Sequence, residues 1–140
     1  MKWVTWENIG VDRMACGWLI RRWVDPKAEF SFIARTEKAL PKNEEPFDIP
    51  GARYSHHGGH CTFYTILKEH KITDPVLARI AQIVDEADEI QEVTVEPAAV
   101  GLDLICRGIR QISSDDYEAM ERGCLIYDAL YAQLKLDAAK

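Results

Sequence analysis

From Thr73 onward, apolar residues recur three and four positions apart, and capping signals cut this pattern into three separate helices. Thr73-Asp74-Pro75 places a capping side chain directly before proline, at the helical position where a missing N–H costs nothing. Val76, Leu77, Ile80, Ala81, Val84 and Ala87 follow as one apolar stripe. Ala98–Ile112 is the next helix, with Leu102, Ile105, Cys106 and Ile109 facing inward. Ser113-Ser114-Asp115-Asp116 caps the last, which runs from Asp116 or Tyr117 to about Leu136. Its core positions are Met120, Leu125, Ile126, Leu130 and Leu134, and Gly123 marks a kink or close packing.

The first half reads differently. Lys2–Trp6 is short, aromatic and β-branched, and Ala28–Ala34 alternates, so both are strands. Asp12 stands where an N-cap belongs, before a helix over Arg13–Val24 that Asp25-Pro26 closes. That helix is apolar over most of its circumference and is therefore buried. Arg35–Pro50 is a proline-interrupted loop with a short helical turn near Thr36–Leu40, and Phe47–Ile49 is a short strand. Thr62 is the expected N-cap of a helix reaching His70. The fold class is α+β: short strands in the first third and a predominantly helical remainder. One domain spans residues 1–140, long enough for a single sizeable core.

Charge and composition exclude several roles. A net charge of −6 leaves no positive excess to neutralise phosphates, so direct nucleic-acid binding is not expected. No apolar run reaches the length of a membrane span, and the N-terminus has no signal-peptide pattern, so the expected location is cytoplasmic. The four cysteines are widely spaced and form no CxxC pair, which in a reducing compartment makes them free thiols.

Ser55–Thr62 concentrates the metal-ligating side chains. Three of the chain's four histidines, His56, His57 and His60, stand beside Cys61, with Gly58 and Gly59 between them to let the backbone turn sharply. Imidazole and thiolate suit borderline-soft divalent ions. A loop of this kind at a helix N-terminus can hold a metal, an anion or both. Asp85 and Asp88, three apart on one helix face, are candidate oxygen donors, whereas Glu86 and Glu89 read as a solvated helix end. On the earlier helix, Arg13, Cys16, Gly17 and Arg21 share a face, and the side-chain-free gap at Gly17 between two guanidinium groups could receive a small anion. The alternative is that both arginines pair with nearby carboxylates and Cys16 is core. Cys16 and Cys61, near arginine or histidine, are candidate redox thiols with a lowered pKa.

The series Val11-Asp12-Arg13-Met14-Ala15-Cys16-Gly17-Trp18, Pro50-Gly51, His56-His57-Gly58, Cys61-Thr62-Phe63, Asp74-Pro75 and Tyr127-Asp128-Ala129-Leu130-Tyr131 resembles the C-terminal domain of the ChrB chromate-resistance proteins over nearly the whole chain. In that family the domain stands alone or behind an N-terminal region that acts in transcriptional regulation. The resemblance therefore implies a link to chromate or heavy-metal stress without the DNA-binding part. The chain departs from the family at Gly17, where proline is usual, at Tyr64, where glutamate is usual, and at Asp85, often histidine. It keeps His57 and Asp88, roughly matches a family glutamate at Glu96, and has His60 in addition.

The first expectation is thus a cytoplasmic protein that binds a divalent metal (zinc, iron or manganese) or a chromate- or sulfate-like oxyanion. On this reading His56, His57, His60, Asp85 and Asp88 hold the metal, and Arg13 and Arg21 steer the anion. The alternative is a small mononuclear metalloenzyme with redox or hydrolytic activity. A third reading leaves the histidines as loop structure in a protein-interaction unit. The tyrosines of the final helix suggest a homodimer interface.

Overall fold

The computed structural model describes residues 1–88 and 94–140. Glu89, read above as part of a solvated helix end, lies outside these. Strand β1 (Lys2–Trp6) leads through helix α1 (Val11–Leu19) to strand β2 (Glu29–Ile33), and β3 (Glu45–Pro46) follows. All pairings are parallel, in the order β2-β1-β3, with Trp3 opposite Phe30 and Glu45. Four helices complete the chain: α2 (Thr62–Glu69), α3 (Pro75–Asp88), α4 (Ala98–Ile112) and α5 (Asp116–Ala138). This is the α+β architecture expected, with its sheet confined to the first third.

Helix α1 is the hub, packing against α2, α3, α4 and α5. That explains why a helix so short is apolar nearly all round: Met14, Ala15, Cys16, Trp18 and Leu19 are all buried. It begins earlier than expected. Gly10 is the N-cap, in extended conformation, so Asp12 lies inside the first turn and is carried into the core. Past Leu19 the helix widens into a π-helical turn, Ile20–Val24, closed by the Asp25 amide donating to the Ile20 carbonyl at 2.7 Å.

Trp18 anchors the core. Its ring stacks with Phe63 and Tyr127, and its indole N–H donates to Asp128 at 2.7 Å. Helices α1 and α5 also interlock through two glycine–methionine pairs. A Cβ on Gly17 would stand 2.3 Å from Met120 Sδ, and one on Gly123 would stand 3.0 Å from Met14 Cγ and Sδ. The gap at Gly17 is therefore filled by Met120 and receives no anion. Gly123 marks close packing, as its position in the helix suggests.

Several local expectations shift. Thr36–Leu40 forms no helix, and β3 ends just before Phe47, which instead bridges to Tyr54. Cys61, not Thr62, is the N-cap of α2. Ile105 and Leu125 are exposed, because the faces they occupy point away from the α1-centred core. Of the tyrosines on α5, Tyr127 is fully buried, donating to the Val11 carbonyl at 2.7 Å, and Tyr131 is half-buried against Trp18 and Trp23. Of the three, only Tyr117 is exposed. Among the described residues no helix is long and apolar enough to cross a membrane.

Candidate functional site

Helix α2 starts in the interior, where its first N–H groups have no water to bond. Two carboxylates from other helices take them. Asp12 accepts from the Thr62 amide at 2.9 Å and the Phe63 amide at 3.1 Å, and Asp85 accepts from the Cys61 amide at 2.6 Å. The helix N-terminus thus already holds two anionic groups of the chain itself.

On the open side of Asp12 the chain brings together four ionisable side chains from four segments. His56 Nε2 lies 3.1 Å from Asp12 Oδ2, 3.2 Å from Asp48 Oδ1 and 3.3 Å from Asp88 Oδ2. The Asp12, Asp48 and His56 donor atoms all lie within 4.8 Å of one another, close enough to share one cation. Donors bound about 2.1 Å from an ion stand about 3 Å apart when adjacent, so this spacing fits a single coordination sphere after small adjustments. Asp12 is wholly buried and His56 is 39% exposed, which leaves one side accessible.

Electrostatics point the same way. Burial, and then the charge of Asp48, push the Asp12 carboxyl above its ordinary range, against the hydrogen bonds from His56 and Thr62. Hydrogen bonds to Asp12 and then Asp48 push the His56 imidazolium up to about 11. The imidazolium form of His56 is thereby favoured and offsets the carboxylates around it.

Asp48 is fixed by its surroundings. It takes a left-handed backbone, φ 54°, which aspartate tolerates better than most residues, and its side chain accepts from Thr62 Oγ1 at 2.6 Å. Arg13 braces it from behind: Nη2 donates to the Asp48 carbonyl, and Nε lies 3.2 Å from Asp48 Oδ2. Trp6 carries the guanidinium groups of Arg13 and Arg35 over its ring.

The expected site residues part company here. His56 and Asp88 join the cluster. His57 does not: its ring bonds the Arg53 carbonyl at 3.1 Å and Ser55 at 3.4 Å. His60 and Asp85 pair with each other at 2.8 Å, and the His60 ring stacks on Tyr64 at 3.9 Å. Thus Tyr64 and Asp85, two positions where the chain departs from the family pattern, meet at the additional histidine. Glu86 is no solvated helix end, for it is buried and accepts from the Val95 and Glu96 amides, tying α3 to the start of α4.

Arg13 and Arg21 do not share an anion site. Arg13 belongs to Asp48, whereas Arg21 pairs with Glu121 at 2.9 Å and lies over Phe30. The surroundings of both candidate thiols disfavour the thiolate. Cys16 donates to Asp12 at 3.3 Å and Cys61 sits beside Asp85, and burial with nearby negative charge drives both well above an ordinary thiol.

The sequence reading missed Asp12 and Asp48. Asp12 left one signal, an acidic residue beside a helix otherwise apolar all round. Asp48 left none, since nothing in a proline-rich loop fixes its distance to residue 56.

Comparison with known proteins gives a consistent picture. Residues 3–134 match the family described as ChrB, C-terminal domain. The chain is 30% identical over 131 residues to Protein ChrB of Cupriavidus metallidurans (strain ATCC 43123 / DSM 2839 / NBRC 102507 / CH34), an alignment covering 93% of this chain and 40% of that protein. The chain therefore spans well under half the length of that relative. No solved structure matches.

Proposed function

The chain belongs to the ChrB C-terminal domain family, and from that membership and the site's geometry we propose that it is a cytoplasmic metal-binding protein linked to chromate resistance. Its metal would be held by Asp12, Asp48, His56 and Asp88. The observation that carries this reading is the convergence of three carboxylates on one imidazole nitrogen at 3.1–3.3 Å, with one of the carboxylates wholly buried. Like charges are not gathered so closely around a buried aspartate unless a cation offsets them.

Three carboxylates and one imidazole form a harder donor set than the histidine-rich loop implied. It suits manganese(II) or iron(II) better than a thiolate-bound structural zinc. Arg13, Thr62 and Tyr54 act one step out. Arg13 and the Thr62 hydroxyl orient the Asp48 carboxylate, and the Tyr54 carbonyl accepts from the Asp48 amide at 2.7 Å.

The deciding experiment is elemental analysis of untagged protein and of the variants His56→Ala, Asp48→Asn, His57→Ala and His70→Ala. Near-stoichiometric manganese or iron is expected in the wild type, lost in the first two variants and retained in the last two. Equal occupancy in His56→Ala and His70→Ala would remove the cluster from metal binding.

A metalloenzyme is the second reading, favoured by one observation. His56 also lines a cavity of about 620 Å³ between Trp6 and the 49–57 loop, which leaves space for an exogenous ligand at the ion. Turnover of a reactive oxygen species or an oxyanion by the manganese- or iron-loaded protein, absent in Asp48→Asn, would favour it over binding alone.

A further inference from the structure

Between α2 and α3 lies a cleft of about 430 Å³, a size that admits a small organic molecule. It shares no residue with the cavity beside His56. Ala78 and Ala81, three apart on one face of α3, leave the space open, and Leu67 and Ile72 complete an aliphatic lining. Leu67 and Ala81 are buried at its base, whereas Lys68, Lys71 and Ala78 are exposed at its mouth.

The way α2 ends shapes this cleft. His70 is its C-cap, the Lys71 amide donates to the Lys68 carbonyl at 3.2 Å, and the Ile72 amide donates to the Leu67 carbonyl at 3.0 Å. This is the paired bonding of a Schellman turn, whose left-handed position is ordinarily glycine. Here Lys71 occupies it, with φ 53°. The chain thus keeps a lysine at the cleft mouth where glycine would relieve backbone strain.

Neither lysine is neutralised. Among the described residues Lys71 has no side-chain hydrogen bond or ion pair, and Lys68 only rests over the Tyr64 ring, 5.4 Å from its centroid. Lysines near a helix C-terminus offset its dipole, but the turn has already satisfied the Leu67 and Lys68 carbonyls. The neighbouring acids are engaged elsewhere: Glu69 pairs with Arg53, and Asp74 accepts from Tyr131 and from the Val76 amide. In a chain of net charge −6, two unpaired ammonium groups beside an aliphatic lining reverse the local sign.

We propose that this cleft binds a small amphipathic monocarboxylate, with its apolar body on Leu67, Ile72, Ala78 and Ala81 and its carboxylate between Lys68 and Lys71. The site is separate from the metal cluster and does not depend on it. A neutral apolar molecule would leave both ammonium groups unused, and an inorganic anion would leave the aliphatic lining unused.

The test titrates the full chain with 2-naphthoate and with the uncharged 2-naphthalenemethanol, by calorimetry and by amide chemical shifts. Naphthoate should bind at about 1 mM or tighter, with its shifts centred on residues 64–81. The alcohol should bind at least about fivefold more weakly. Lys68→Gln/Lys71→Gly should lose that preference for the carboxylate. Ala78→Phe, which fills the cleft from an exposed position, should abolish binding of both. Lys71→Gly alone should weaken naphthoate binding yet raise the melting temperature by about 2–4 °C, because glycine suits the left-handed turn. General damage to the fold would lower both. Lys38→Gln, between β2 and β3, is the control and should change neither.

Equal affinity for the acid and the alcohol would overturn the proposal. So would naphthoate shifts centred on Trp6 and His56, undiminished binding in Ala78→Phe, or an unchanged carboxylate preference in the double variant.

Discussion

Asp12 Oδ2 and His56 Nε2 stand 3.1 Å apart although 44 residues separate them in the chain, and the same Asp12 oxygen accepts the Thr62 amide. One buried carboxylate therefore starts helix α2 and forms the inner wall of the candidate metal site. Fold and function share this residue, and its substitution should show both effects.

Asp12→Ala removes the acceptor of two buried amide N–H groups and leaves them unsatisfied. A loss of about 2–4 kcal/mol in unfolding free energy is expected, measured by urea titration. Asp88→Asn, at the exposed end of the cluster, should lose metal with little change in stability. Equal destabilisation by both would mean that the cluster acts only as a scaffold.

The metal-free protein should be pH-sensitive through His56. Its folded-state pKa, about 11, lies above the ordinary value of 6.5, so the stabilisation is fully present below about pH 6.5 and is lost as the pH rises through about 11. Thermal denaturation of apo-protein from pH 6 to 11 should show a decline that His56→Gln flattens. Parallel curves for the two proteins would show that His56 does not carry the linkage.

Gly17→Ala inserts a methyl group 2.3 Å from the Met120 sulfur. The thioether is flexible and can withdraw, so the cost should be about 1–3 kcal/mol rather than failure to fold. Met120→Ala in the same chain should relieve the clash, and the double-mutant cycle should be non-additive. Additivity would mean that the two residues do not meet.

All four cysteines are buried, and all four thiols are raised, Cys106 and Cys124 to about 11. A thiol-specific aromatic disulfide reagent at pH 7.5 should label the native protein only as fast as it opens, and should label all four sites together in denaturant. A single rapidly reacting thiol in the native state would restore a redox role for Cys16 or Cys61.

The helical half was legible in the sequence because its information is local. The Asp74-Pro75 start, the Asp115 cap that accepts the Glu118 amide, and the stripes of α3 and α5 each depend on residues within one or two turns. Even there, which of two apolar faces meets the core was not local, and so Ile105 and Leu125 were misplaced. The family was equally legible, since its motifs are spread along the chain and need no contacts to be recognised.

The site was only half legible. Composition marked His56 and Asp88 as ligand types, but His57 and His60 are the same residue type in the same loop, and only the turn at Gly58-Gly59 sends them elsewhere. Asp12, Asp48, Arg35 and Arg110 have ordinary neighbours in sequence. They come to line one cleft because α1 packs against four helices, which brings the start of one helix, a left-handed loop residue and the outer face of α4 together. Local sequence chooses helices and turns through short-range sterics and hydrogen bonds. Which charges meet is decided by long-range packing, and packing exists only once the chain has folded.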